Sequence, residues 1–479
     1  MVWRPEHADK KREIELLGEI EMKKTAASAG METKENNPAS IAAYLVRQLK
    51  GKGADDVVVS AGTEEATQLK FSNSTISTTQ SWHSEKLNVF VAIDRKLVGT
   101  SIRSLGKPAV DDAVSKILKF AAAAVPNKEY MGIAEGPFSY KEIPETYDRA
   151  VAELGDRAVD LLNGAINVAK RNGAARAAGI FETTVSNSYL LTSNGVEAED
   201  RGTKAYFSMR VFVDKYASGH HICNSRVLRK FTPEASAERA ATIAKQAVNP
   251  MPGVPGNYDV IFSPLPFANI IESVGKAASI FNVESKLSCF AGKLGKKVGS
   301  DNVTLVDDGT LPNGFDSVKF DEEGVPTQKN VIIEDGTLKK YLHNTSTARR
   351  HKTKTTANAG IVTPNPFNLV FENGNFNKEE MIRQVKRGLI VTNVWYTRFQ
   401  NYESGDFSTI PRDGMFLIEN GRVTGPVKEL RISDNLIRIL QNTAAVGKEP
   451  EPVFGWEVEV PTITPAVLVK DVRLTKSVE

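Results

Sequence analysis

The chain has 479 residues, 41% of them hydrophobic and 25% charged, with 61 Lys and Arg against 58 Asp and Glu. That length exceeds one ordinary core, so two or three domains are expected, and the near-balance of charge excludes a protein built to neutralise phosphates, so nucleic acid is not an expected partner. No apolar run of about 18 residues suggests a membrane span. The two cysteines, Cys223 and Cys289, lack the spacing of a disulfide framework or a zinc site, and the N-terminus lacks the apolar region of a secretory signal, so a cytoplasmic location is expected.

Residues 1–36 are rich in Lys and Glu and read as a charged tail, with a possible helix at Arg12–Lys24 and a linker at Thr33–Pro38. From residue 37 to 248 helices alternate with hairpins. Ile41, Tyr44, Leu45 and Leu49 fall at helical spacing, and Gly51 with Gly53 ends that helix. Short strands are predicted at Val57–Val59, Gln68–Asn73 and Thr75–Ser81, followed by a hairpin of Leu87–Ala92 and Leu97–Ser101 and a helix at Ala109–Ala123. The spacing predicts one long helix from Tyr147 to Arg171, stopped by Asn172-Gly173, then strands at Ala177–Ser186, Tyr189–Thr192 and Lys204–Val213. Phe207–Gly219 echoes Leu87–Thr100, which suggests a duplicated hairpin–helix unit whose second copy ends in the helix Pro233–Val248.

Asn249–Asn257 (NPMPGVPGN) marks a linker, because three prolines and two glycines cannot sit inside a helix or a central strand. Residues 258–479 read as a mostly β domain, punctuated by Asp335-Gly336, Asn373-Gly374 and Asn420-Gly421 turns, with helices at Ala268–Ile280, Lys378–Gly388 and Ser433–Ala445. The fold class is therefore α+β, with an α/β layered first half.

None of the six histidines (His7, His83, His220, His221, His343, His351) forms an i,i+4 pair, so no His-Glu-x-x-His helix is present. His220 and His221 are expected to point to opposite faces of a strand end, as surface or turn residues, with Cys223 nearby. Asp307-Asp308 and Asp321-Glu322-Glu323 run into Gly and Pro, so their carboxylates are assigned to loop amides rather than to acid–base work. Lys293, Lys296 and Lys297 lie among Gly292, Gly295 and Gly299, but the phosphate-loop pattern is missing and they read as a solvated face.

The succession AGKLG, TLVDDGTLPNGFDS, FDEEGVPTQ and GTLKKYLHNTSTAR, followed by GLIVTN, GDFS and LIENGRVTGPVKEL, resembles the TldD/PmbA family, whose members were named as modulators of DNA gyrase and are associated with peptide processing. In that family the TldD type carries His-Glu-x-x-x-His on a helix and takes a further metal ligand from a cysteine near the C-terminus. The resemblance puts Ile271 and Lys276 at the two histidine positions and Glu272 at the glutamate, and Gly455–Thr462 (GWEVEVPT) has no cysteine. This departure is similar to the TldE/PmbA type. It implies no metal and no other cofactor, with Glu272 a remnant and an exposed or paired helix carboxylate. The resemblance further implies a metal-less subunit that pairs with a TldD-type catalytic subunit, or with itself, in a metallopeptidase acting on unfolded peptide. Alternatives are a self-associating peptide-binding protein without a peptidase role, or a DNA gyrase modulator.

Overall fold

The structure is a computed structural model and describes residues 37–360 and 362–477; the charged tail proposed for residues 1–36 lies outside them. The first half is built twice from one plan. Helix α1 (Pro38–Gly51) leads into strands β1 (Asp56–Ser72), β2 (Thr75–Ile93) and β3 (Lys96–Ile102) and then helix α2 (Lys107–Ala123). Helix α3 (Arg157–Arg171) leads in the same way into β4 (Arg176–Thr192), β5 (Glu197–Phe212) and β6 (Ser218–Ser225) and then helix α4 (Pro233–Gln246). The two meanders join through β1 and β4 into one antiparallel sheet of order β3-β2-β1-β4-β5-β6. This is the duplicated unit that the echo between residues 87–100 and 207–219 suggested.

Alternation of side chains along a strand explains how the four helices share the sheet. One face supplies Val57, Val59 and Val89 to a core with α1 and α2. The same face supplies Phe181, Phe207 and Met209 to a second core with α3 and α4. Gly219 permits the close approach of β6 to α4, since a Cβ there would lie 2.1 Å from the Ala240 carbonyl oxygen.

Several expected boundaries are corrected. The separate strands at 57–59 and 68–73 are parts of the single 17-residue β1, and Thr75–Ser81 opens the 19-residue β2. The intervening polar residues Thr63–Thr67 look like a break, yet they are paired on both sides, with β2 and with β4. The segments 177–186 and 189–192 are likewise one strand, β4. The long helix expected from Tyr147 is a single turn at Arg149–Ala152 and then α3, interrupted where Gly155 takes φ +53°. The helix expected at Ser433–Ala445 is instead a strand (Leu430–Asn435), a short helix (Leu436–Gln441) and a strand (Thr443–Val446). Asn435 starts that short helix by accepting hydrogen bonds from the amides of Ile437 and Arg438. The helix expected at Lys378–Gly388 ends at Arg383, and Arg387–Val391 forms a central strand.

The second half contains two sheets. In the larger, of ten strands, β7 (Gly256–Phe262) pairs with Arg387–Val391 and with β10 (Val467–Lys476), and β8 (Val394–Asn401) lies at one end of the order. At the other end Met251–Pro252, from the Pro- and Gly-rich linker, pairs with Val427–Lys428, an edge position that suits proline. The smaller sheet has six strands and includes β9 (Val458–Thr464). Helix α5 (Pro264–Ala277) contacts strands of both sheets, and its near-complete burial explains why Phe267, Ile270, Ile271 and Val274 are apolar around most of its circumference. Among the described residues no helix is long and apolar enough to cross a membrane.

Candidate functional site

Glu272 and Lys276 sit one turn apart on α5, so they share a face. Gly275, between them in sequence, turns another face toward Leu369, whose side chain would stand 2.4 Å from a Cβ at that position. This close packing holds the Glu272–Lys276 face against the start of β9. Lys276 donates to Glu272 and, over 3.1 Å, to Glu459, while the Glu459 amide donates to the second Glu272 oxygen at 3.2 Å. Ile271 is fully buried in the core between the sheets. The sequence-marked positions Ile271, Glu272 and Lys276 are thereby brought beside Gly455–Thr462, 180 or so residues later along the chain. Glu459 is the member of the cluster that sequence reasoning did not single out, although its segment was marked.

Burial pushes the Glu272 carboxyl above its ordinary range, and Lys276 and the Glu459 amide pull back against that effect. For Lys276 burial acts downward, but Glu272 and Glu459 outweigh it and hold the ammonium protonated. Both groups are thus raised, Glu272 because burial dominates for a side chain only 8% exposed, and Lys276 because its carboxylate partners dominate for one 43% exposed. This donor set does not fit a divalent cation: Ile271 offers no lone pair, and a bound ammonium stands between the two carboxylates.

The cluster opens on a cleft of about 600 Å³ bordered by Trp395, Tyr396 and Trp456. Strand β8 forms one wall. Its pairing with Asp406–Pro411 slips between Trp395 and Arg398, and Tyr396 takes φ +61°, a bulge that turns the Tyr396 amide onto the Glu457 carboxylate. A neighbouring cavity of about 360 Å³ shares Trp395, Trp456 and Glu457 and reaches Arg210, His220 and Arg412. A larger cavity, about 890 Å³, lies elsewhere against α4, where Glu451 is already engaged by Arg239 and His221.

The other sequence candidates fall into structural roles. His220 and His221 do point to opposite sides, but they lie within β6 rather than at a surface turn. His220 faces Ser208 at 2.9 Å and Asn393 at 3.2 Å, and burial lowers its pKa to about 4, whereas His221 faces Ser236 at 3.1 Å. Asp307 is fully buried and accepts from the Asn358 side chain at 2.7 Å and the Phe367 amide at 2.6 Å. Asp321 accepts from the amides of Glu323, Val325 and Ala359, as expected of a loop carboxylate. Lys296 and Lys297 are exposed on their loop.

Residues 255–476 match the PmbA/TldA metallopeptidase C-terminal domain, and residues 141–248 match the PmbA/TldA metallopeptidase central domain. A metalloprotease from Methanocaldococcus jannaschii is 35% identical over 211 residues, a match that spans 42% of this chain and only 46% of that relative. The metalloprotease PmbA of Escherichia coli O157:H7 is 26% identical over 283 residues, 54% of this chain and 61% of the relative. The crystal structure of TldE from Thermococcus kodakarensis superposes with a TM-score of 0.81 at 24% identity, covering 91% of this chain and 100% of that one, and shows that the fold is shared.

Proposed function

The chain belongs to the TldD/PmbA family, and we propose that within it this protein is the metal-less, TldE-like partner of a TldD-type metallopeptidase subunit. One observation carries the reading: the Lys276 ammonium lies between Glu272 and Glu459, where the family's helix motif and C-terminal segment converge. A positive charge there pairs with both carboxylates in place of a metal, and without a metal nothing acidifies a water for Glu272 to deprotonate. The chain's own contribution is then to bind and shape substrate. Strand β8, at the end of its sheet and carrying the exposed Trp395 and Tyr396, suits an extended, unfolded peptide, because a sheet edge recognises backbone through its amides and carbonyls.

Co-expression with a TldD-type protein from the same source tests the reading. The expected outcome is a stable complex that cleaves an unfolded peptide faster than the TldD-type protein alone, while this chain alone cleaves nothing. A chain that neither associates with that protein nor changes its rate contradicts it and favours a self-associating binding protein.

A further inference from the structure

The cavity beside the Lys276 cluster contains two arginines with very different surroundings. Arg210 is committed: its Nε and one terminal nitrogen donate to Asp413 at 3.0 and 3.3 Å. The Asp413 side chain is wholly buried and also accepts from Ser218 at 2.6 Å and Asn393 at 2.7 Å. Four donors saturate that carboxylate, which leaves nothing for its neighbour in sequence, Arg412.

Arg412 is anchored by its backbone, whose amide donates to the Asn393 carbonyl at 3.0 Å. Its guanidinium lies 4.7 Å from the centre of the Trp395 ring and makes no ion pair or side-chain hydrogen bond among the described residues. Glu457, the nearby carboxylate on the cavity wall, is held by the Tyr396 amide, and burial raises its pKa toward the neutral form. The indole of Trp456, at the tip of the hairpin that carries Glu457, is 90% exposed. A planar cation that lies against Trp395, feels the Glu457 carboxylate without a hydrogen bond to it, and opens on a cavity also lined by Trp456 beside a sheet edge is equipped to receive a carboxylate through paired N–H donors.

We propose that Arg412 is a subsite for a carboxylate of an extended peptide that lies along β8 against Trp395 and Trp456. The inference rests on the peptide-binding part of the function proposed above, and it requires neither a metal nor a partner subunit. The carboxylate belongs either to the peptide's C-terminus or to an Asp or Glu side chain.

Fluorescence titration of the full chain alone, read through its tryptophans, separates these sources. Three short peptides of one neutral sequence are compared: the free C-terminal acid, the C-terminal amide, and the amide with one internal Asp. At least one carboxylate-bearing peptide is expected to bind about 10-fold more tightly than the plain amide, as befits a charge-assisted bidentate contact. Preference for the free acid assigns the terminal carboxylate, and preference for the Asp peptide assigns the side chain. Arg412→Gln should abolish the preference and Arg412→Lys should keep part of it, with circular dichroism confirming that both variants fold. Equal binding of all three peptides, no binding at all, or a preference that survives in Arg412→Gln overturns the proposal. A chain that shows the preference but leaves a TldD-type partner's rate unchanged keeps this subsite and loses only the partner role.

Discussion

Lys276 donates to Glu459 across 3.1 Å and ties helix α5 to a strand that begins more than 180 residues further along the chain. The same ammonium holds Glu272, so one side chain bridges two carboxylates at the mouth of the aromatic cleft. A lysine here therefore decides both what the site cannot bind and how the helix is locked to the C-terminal segment.

Replacing Lys276 with Met should leave Glu272 buried without a cation. Breaking a fully buried pair costs about 3–5 kcal/mol, and the partial exposure of Lys276 brings the expected loss down to about 1–3 kcal/mol. Chemical denaturation checks this, and adding Glu272→Gln to the variant should recover part of the loss, since no uncompensated charge then remains.

Arg226 is 4% exposed and joins the first sheet to the loop Gly314–Ser317, donating to the carbonyls of Thr203 at 3.1 Å, Gly314 at 3.5 Å and Ser317. Arg226→Met would take a buried donor from the Thr203 and Ser317 carbonyls, while Gly314 still accepts from the Ser317 amide at 3.1 Å, and should cost about 2–4 kcal/mol, read as a lowered midpoint in thermal or denaturant unfolding.

Stability should fall as pH rises from the ordinary carboxylate range to neutrality. Burial pushes Asp307 up to about 7, and it raises Asp321 and Glu323 as well. Between an unfolded pKa of about 4 and a folded value near 7, the folded chain keeps a proton that the unfolded chain has released, so the unfolded state binds fewer protons and stability declines across that window. Above it the effect of Asp307 is complete and levels off. Asp307→Asn should flatten part of the decline, while lowering stability at every pH, because its amide nitrogen would face one of the two donors, the Asn358 side chain or the Phe367 amide, and only the other would keep an acceptor.

Gly219→Ala should drive a methyl into the α4 backbone, where the Ala240 carbonyl oxygen lies 2.1 Å and the Ala244 amide nitrogen 2.6 Å from the new Cβ. A loss of about 1–3 kcal/mol is expected, and it should be seen as a lowered denaturation midpoint.

Periodicity and turn chemistry made the alternation of helix and hairpin, the repeated unit and the β-rich second half legible in the sequence. What they missed has physical causes. The polar middle of β1 hid a continuous strand, since Thr63–Thr67, of which only Ala66 is buried, are kept in register mainly by pairing on both sides. The 433–445 segment reads as a helix, yet its first residues are claimed by pairing with Asp406–Thr409. In the candidate site, Ile271, Glu272 and Lys276 could be marked because the family resemblance lays its short motif on six consecutive residues. Glu459 and the Arg412 cavity could not, because they arise from segments that only the tertiary fold brings together.

The most direct test of the account is the zinc content of the purified chain after incubation with the metal and removal of the excess. With Lys276 bridging Glu272 and Glu459, far less than one zinc per chain is expected, with no change on substituting Glu272 by Gln. Stoichiometric zinc that is lost in Glu272→Gln or Glu459→Gln, accompanied by peptide cleavage by the isolated chain, would contradict it.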